Sequence, residues 1–446
     1  MNRQFSLSKW TLHPTQVLAL GFLGVILLGT IALMLPIATV DQRGLAWLDA
    51  LFMATSAVCV TGLVVVDPGT VLTRFGHVVI MLLVQIGGLG FMSLAAMIAV
   101  LLGKRITIHD RLILKESLNQ VSLQGIVRLV RYIVLVTLSI EFVGALILAW
   151  SFRHTMSVGD ALFNGVFHAV SAFNNAGFDL FTTSLIGYNT NPVVMICVMV
   201  LLTIGGMGLL VWSNAMSHGW RVQQWSLHTK IVMITTTLLL VVGSVLVYLL
   251  EHNQAAFAGL SIGDTVLNSV FQSATSRTAG FFSVPLTSLT TATVVLMMML
   301  MFIGASPGST GGGIKTTTFA MAILIVYNVL RGRSEIHLWH RTVTAPILLK
   351  SFAVIFVALT WVMVVTLMLS VTESASFLWV AFEVVSAFAT VGLTLGLTPE
   401  LTDFGKLMII ATMYAGRVGP LTLFVALMLR SKEPPYRYPE ESVLIG

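Results

Sequence analysis

The sequence predicts an all-α integral membrane protein built from four tandem helix–pore-loop–helix repeats, eight transmembrane helices in a pseudo-fourfold arrangement around one pore. Three observations predict it. Hydrophobic residues make up 57% of the 446 positions against 9% charged, a balance that no soluble domain of this length could cover with polar surface. Eight long apolar runs lie near 16–38, 75–102, 130–152, 191–216, 229–250, 290–329, 346–370 and 405–429, and a hydrocarbon core about 30 Å thick needs roughly 20 helical residues to cross. Between the two runs of each pair, a short apolar segment ends on a lone glycine: Gly62, Gly177, Gly280 and Gly392.

The repeat is marked twice. Each lone glycine is followed by a second glycine, at Gly87, Gly205, Gly304 and Gly416, after 25, 28, 24 and 24 residues. Four copies of one unit can surround an axis. Repeat 1 takes residues 1–102 with its pore loop near 47–63, and repeat 2 takes 103–217 with its loop near 159–178. Repeat 3 takes 218–330 with its loop near 263–281, and repeat 4 takes 331–430 with its loop near 376–393. Residues 431–446 form a short tail.

A unit of span, half-crossing loop and span begins and ends on one side, so the three linkers must share a compartment with both termini. Those regions hold 17 of the 24 basic residues. The positive-inside rule places them, with both termini, in the cytoplasm of a multi-pass plasma-membrane protein. The net charge of +6 comes from this asymmetry, and no nucleic-acid partner is indicated. The outer loops carry ten acidic residues, among them Asp49, Asp67, Asp160, Asp179, Glu251 and Glu373, which biases the external mouth towards cations. The two cysteines, Cys59 and Cys197, lie in apolar stretches and suggest neither a disulfide framework nor a metal site. The first run is too long for a cleaved signal peptide and stays as a span.

A segment of about 12 to 15 residues that enters the bilayer and turns back is tolerated only around a protein-lined or water-filled cavity, because backbone groups in hydrocarbon need partners. Each loop reads as a short helix followed by extended chain at its glycine, whose positive φ lets successive carbonyls face one axis. Rings of carbonyl oxygen replace the water shell of a dehydrated cation, and the negative dipole ends of the short helices favour the same charge. Gly87–Gly88 and Gly205–Gly206 read as packing points inside continuous helices.

Between 304 and 313, repeat 3 places five glycines and a proline within a membrane run, and at about 1 kcal/mol per glycine and 3 for proline an unbroken helix is excluded. The break falls just cytoplasmic of the lone glycine, where a mobile loop can obstruct the pathway. Its residues are Gly304, Gly308, Ser309, Thr310, Gly311, Gly312 and Gly313, with Lys315 capping the broken helix. The stretch nearly matches a phosphate-binding loop, but Ile314 separates Gly313 from Lys315 and no soluble strand precedes it. Arg417 follows Gly416 at the equivalent place in repeat 4. An arginine at that depth is expected to face the pore, donate to the loop's carbonyls and oppose cation flow. Glu141 and Glu383 are buried on this reading, with Glu383 expected to pair with Arg277. The spans lack the clustered nucleophile and base, or paired aspartates, of a membrane enzyme, and His168 reads as structural.

The loops, with Asn-Asn-Ala-Gly-Phe at 174–178, Arg-Thr-Ala-Gly-Phe at 277–281 and Gly-Ser-Thr-Gly-Gly-Gly-Ile-Lys at 308–315, resemble the Trk/Ktr/HKT superfamily of potassium transporters over nearly the whole chain. The eight spans are most similar to its Ktr-type bacterial membrane subunits. The resemblance implies a potassium selectivity filter at Cys59, Val60, Thr61 and Gly62; Asn174, Asn175, Ala176 and Gly177; Thr278, Ala279 and Gly280; and Thr390, Val391 and Gly392. It implies an intramembrane gating loop at 304–315. It also implies a homodimer and a cytosolic RCK-type ring of nucleotide-binding regulatory subunits, with the nucleotide on that partner, no cofactor in this chain and sodium as a candidate regulator. A sodium- or proton-coupled cation carrier of the same superfamily is the alternative. Coupling ordinarily requires ionisable residues along the path, and the loops carry almost none.

Overall fold

The computed structural model describes residues 14–90, 126–219, 221–332, 336–339 and 341–419, with isolated positions at 93, 96, 97, 112 and 114. The tail at 431–446, and the ends of the expected spans at 75–102 and 405–429, lie outside these residues. Leaving single turns aside, the described chain forms fourteen α-helices and one hairpin. They are α1 (Pro14–Leu33), α2 (Trp47–Val58), α3 (Arg74–Leu89), α4 (Ile126–Phe152), α5 (Val158–Phe173), α6 (Pro192–Met207) and α7 (Leu209–His218). Then come α8 (Leu227–Glu251), α9 (Ile262–Thr275), α10 (Thr291–Phe302), α11 (Thr316–Leu330), β1 (Ile336–Leu338), β2 (Arg341–Val343), α12 (Ala345–Thr372), α13 (Phe377–Ala389) and α14 (Asp403–Val418).

One order recurs four times: a long helix, a short helix, a glycine segment and a second helix. Among the described residues, four helices are long and apolar enough to cross a membrane alone. They are the long helices α1, α4, α8 and α12 that open each unit, as a multi-pass membrane protein requires.

The second helices differ from expectation. α3, α6 and α14 end at Gly90, Gly208 and Gly419 with φ of 78°, 87° and 92°, each three residues beyond the second glycine. α6 and α7 are bent by 95°, so the continuous span read at 191–216 is interrupted, as the run at 290–329 is. A left-handed residue cannot continue a right-handed helix, and glycine adopts it at little cost. The linker before the fourth unit carries the β1–β2 antiparallel hairpin, with His337 opposite Thr342, in a chain read as wholly helical.

The second glycines are contact points. A Cβ placed on Gly87, Gly205 or Gly416 would lie 2.0, 1.8 or 1.9 Å from the carbonyl oxygen of Val58, Phe173 or Phe388, respectively. Each second helix therefore presses its backbone against the C-terminal end of its own unit's short helix, an approach that any side chain would prevent. Outer ends are tied by caps. Glu251 at the end of α8 accepts from Thr290 N–H at 2.8 Å and Thr290 Oγ1 at 2.7 Å. Glu373 after α12 does the same for Thr402, at 3.0 and 2.6 Å. Asp49 pairs with Lys406 at 2.7 Å and Asp160 with Arg74. Four of the acidic groups that the sequence assigns to outer loops thus hold helices together.

Candidate ion pathway

The four glycine segments share one backbone conformation. Two residues before each glycine the chain is left-handed, at Val60, Asn175, Thr278 and Thr390 with φ of 59°, 60°, 66° and 50°, and the glycines follow at 93°, 69°, 80° and 92°. Non-glycine residues reach φ above zero in only a few per cent of cases, so four at one register mark a shared construction.

The segments also meet. A Cβ added to Gly62 would sit 2.4 Å from the carbonyl oxygen of Ala176, one on Gly177 would sit 2.9 Å from that of Ala279, one on Gly280 would sit 2.7 Å from that of Val391, and one on Gly392 would sit 2.1 Å from that of Thr61. Each unit touches the next and the fourth returns to the first. The contacts close a ring.

Hydrogen bonds orient the peptides within it. The N–H groups of Thr61, Ala176 and Val391 donate to the carbonyls of Ser56, Ser171 and Ser386 at 2.8 Å, and Ala279 N–H donates to Thr275 at 3.0 Å. Because a trans peptide points its N–H and C=O in opposite directions, the carbonyls of Val60, Asn175, Thr278 and Thr390 face away from the short helices. Gly62 and Gly392 donate to the hydroxyls of Ser56 and Ser386 at 3.0 and 3.1 Å, which turns the Thr61 and Val391 carbonyls the same way. None of these six carbonyls accepts a hydrogen bond from a described residue. Buried carbonyls are nearly always paired, and a set of unpaired ones is suited to a cation. Sequence reasoning passed over the serines, although Ser-Ala stands at the same place in three units, six and five residues before Gly62, Gly177 and Gly392.

The side chains of the segments are fully buried. The hydroxyls of Thr61, Thr278 and Thr390 and the Nδ2 of Asn175 have no partner among the described residues. Residues three before the glycine turn into the scaffold: Asn174 towards Gln85 and Glu141, and Arg277 towards the Thr236 carbonyl and hydroxyl, both at 3.4 Å. The expected pairing of Arg277 with Glu383 is not made. Glu383, on α13, instead accepts from Thr394 at 2.7 Å and from Thr398, because its helix faces the chain leaving its own glycine segment. His168 is a buried structural group: its Nδ1 lies 2.8 Å from the Asn164 carbonyl and its ring stacks on Phe181.

The break between α10 and α11 is a loop folded on itself, with Ala305 N–H donating to Gly312 at 3.2 Å and Ile314 N–H to Phe302 at 3.3 Å. Its tip lies against three of the four segments. Thr310 Oγ1 donates to Asn175 Oδ1 at 2.9 Å, and Cβ atoms on Gly311 and Gly312 would come within 2.0 and 2.3 Å of the hydroxyls of Thr278 and Thr390. Ser306 N–H donates to the Gly206 carbonyl at 3.0 Å. Arg417 donates to the Thr310 carbonyl of the loop and, across the structure, to the Gly87 carbonyl, with a longer bond of 3.4 Å to Gly88. Lys315 stands at the N-cap position of α11 without a side-chain capping bond; its side chain spans the loop and donates to the Gly311 carbonyl at 2.7 Å. Gly304, Gly308, Ser309 and Gly313 complete the loop, Ser309 with its hydroxyl on the Ser306 carbonyl at 2.5 Å.

This arrangement defines a class. Residues 9–435 match the TrkH family model, described as cation transport protein, and the chain belongs to that family, whose members are transporters and not enzymes. It is 44% identical over 440 residues to the Ktr system potassium uptake protein B of Bacillus subtilis, covering 98% of each chain. It is 43% identical to the protein of that name from Vibrio alginolyticus, over 97% of this chain and 94% of the other. It is also 38% identical to the potassium/sodium uptake protein NtpJ of Enterococcus hirae, over 98% of each. The crystal structure of the potassium transporter TrkH from Vibrio parahaemolyticus shares the fold, with a TM-score of 0.75 at 20% identity over 96% of this chain and 87% of that one.

Proposed function

We propose that this chain takes up potassium through a channel-like pore, with the four glycine segments as its selectivity filter and the loop at 304–315 as its gate. The observation that carries the reading is the closed ring of glycine segments in which six buried carbonyls, turned from the short helices, accept no hydrogen bond from a described residue. Oxygen dipoles fixed in that way replace a cation's hydration shell without reorganisation, and the C-terminal ends of α2, α5, α9 and α13 add negative potential. The names of the relatives at 38 to 44% identity support potassium as the ion and admit sodium as a second ion or a regulator.

The gate reading rests on the loop's contacts with Asn175, Thr278 and Thr390 and on the bond from Arg417 to its Thr310 carbonyl; a loop seated there would obstruct the pathway. The Ktr naming of two relatives supports a multi-subunit system. We extend it to a homodimer controlled by a cytosolic nucleotide-binding ring, in the plasma membrane with both termini in the cytoplasm.

Two measurements test the reading. The chain, expressed with its regulatory partner, rescues a potassium-uptake-deficient bacterium on low potassium. Reconstituted flux discriminates potassium and rubidium from sodium, and Gly62→Ser erodes that discrimination. Equal flux of the three ions through the unaltered protein overturns the selective-pore reading.

A further inference from the structure

Glu141 is a buried acidic group near the ring that neither the filter nor the gate uses. It lies midway along α4, 5% exposed, in a helix that leaves Leu135, Leu138, Phe142 and Val143 exposed. Among the described residues no lysine or arginine pairs with it. A carboxylate at such depth is costly and marks function or a specific partner. Its partners are two amides: Asn174 Nδ2 donates to Oε1 at 2.9 Å and Gln85 Nε2 donates to Oε2 at 3.2 Å. Gln85 in turn accepts from Asn174 Nδ2 at 2.9 Å, so the three side chains form a closed triangle. Its corners come from three places: α3 of the first unit, α4 of the second, and the start of the second glycine segment.

The triangle bears on the ring through one peptide link. Asn174 immediately precedes Asn175, where the chain turns left-handed at φ 60°, a conformation asparagine adopts more readily than most residues bearing a Cβ. Gly88 closes the remaining side, since a Cβ there would come within 2.0 Å of Asn174 Oδ1. The Asn174 side chain is therefore held from α3 and α4, with its Nδ2 also 2.9 Å from the Val170 carbonyl of its own helix, one residue before the carbonyl of Asn175. The other units lack the device. Their corresponding residues are Cys59, Arg277 and Ala389, and only Arg277 reaches a polar partner on its own long helix.

We infer that Glu141 and Gln85 are positioning residues for cation selectivity, acting through Asn174 to fix the second filter segment. The inference rests on the filter reading above. Glutamine at 141 keeps the shape but turns a donor towards Gln85 or Asn174, so one bond of the triangle is lost. A cavity whose oxygens move loses its fit to the dehydrated ion, and its KM for potassium and its preference over sodium change before its maximal rate does.

The test uses the full chain with its regulatory partner, reconstituted, and compares Glu141→Gln, Asn174→Ala, the double variant and Gly177→Ser. Glu141→Gln and Asn174→Ala are each expected to raise the KM for potassium about tenfold and to lower potassium-over-sodium discrimination by a similar factor, with maximal flux within about twofold. The double variant should be no worse than either single one, because both break the same clamp. Wild-type KM and discrimination in Glu141→Gln, or losses that multiply in the double variant, overturn the inference. If Glu141→Gln does not accumulate in the membrane, Gln85→Leu with Asn174→Ala is read by the same criteria. Gly177→Ser separates the two levels: if it alters discrimination while Glu141→Gln does not, only the clamp is wrong. If neither alters it, the filter reading itself fails.

Discussion

Replacing Arg417 with glutamine tests the gate at its most heavily bonded point. The guanidinium donates to the Thr310 carbonyl on the loop, to the Gly87 carbonyl at the end of α3, and at 3.4 Å to the Gly88 carbonyl. Only the bond to Thr310 is lost when the loop leaves, since Gly87 is on α3, so at about 1.5 to 3 kcal/mol for a hydrogen bond to a charged group the seated loop loses about that much. Each 1.4 kcal/mol is a factor of ten, so the ratio of seated to displaced loop should fall about ten- to a hundredfold. Tracer rubidium uptake into liposomes, with the regulatory partner left out, is expected to rise until the filter itself limits flux. Arg417→Lys separates a latch from an electrostatic barrier. Lysine keeps the charge but has no planar fork to bridge two carbonyls, so a latch leaks with lysine while a pure barrier does not. Wild-type flux in both variants, at matched reconstitution and with a monodisperse protein, refutes the latch and the barrier together.

Gly392→Ala places a methyl group on a backbone at φ 92° and about 2.1 Å from the Thr61 carbonyl; potassium uptake by the variant in cells is expected to collapse while its membrane level is kept. Ser386→Ala frees the Gly392 N–H from its 3.1 Å bond to the hydroxyl, and at about 1 kcal/mol the KM for potassium should rise roughly fivefold, as read by initial rates. Asp179, just outside the second segment, has its carboxyl pushed up to about 7, chiefly by burial and slightly by the charge of Asp67, against the pull of Ser184 and the Phe181 N–H. A raised carboxylate is charged above that value and neutral below it. Acidifying the outer solution from about pH 8 to about pH 6 should therefore raise the KM about threefold by weakening the attraction at the mouth. In Asp179→Asn the profile should be flat, and a persistent pH dependence there assigns it to another group.

Much of the ring is legible in the sequence because its chemistry is local. A lone glycine after an apolar helix signals positive φ wherever it stands, and four in register locate segments that the structure brings into contact. The helix ends at Gly90, Gly208 and Gly419 are not legible, for a physical reason: a helix tolerates each glycine in an apolar run at about 1 kcal/mol, so tertiary packing decides whether it continues or ends at a cluster of two or three. The spacing is visible all the same, since each follows a second glycine by three residues. Side-chain direction is not legible either. Opposite charge alone suggests a pair between Arg277 and Glu383, whereas each side chain turns to hydroxyls on its own unit, an arrangement set by how the helices rotate around the axis. The triangle of Gln85, Glu141 and Asn174 joins residues up to 89 positions apart, and no periodicity encodes it.

The departure of the third unit from the other three explains how one pathway can be both symmetric and gated on the proposed reading. In the first, second and fourth units the second glycine rests on the end of a short helix. In the third, Gly304 lies against the loop's own Gly312 instead, where a Cβ would come within 2.2 Å of its carbonyl oxygen. The loop thus takes the place of a helix contact, held by Thr310 on the second unit, by Lys315 on itself and by Arg417 from the fourth. Its tip is glycine at 311 and 312 because the hydroxyls of Thr278 and Thr390 leave no room for a side chain. Those hydroxyls have no partner among the described residues, so displacing the loop breaks no bond to them and opens the ring's lower face. The filter can then stay fixed while the loop moves, which confines the conformational change to bonds made by Thr310, Ser306 and Arg417.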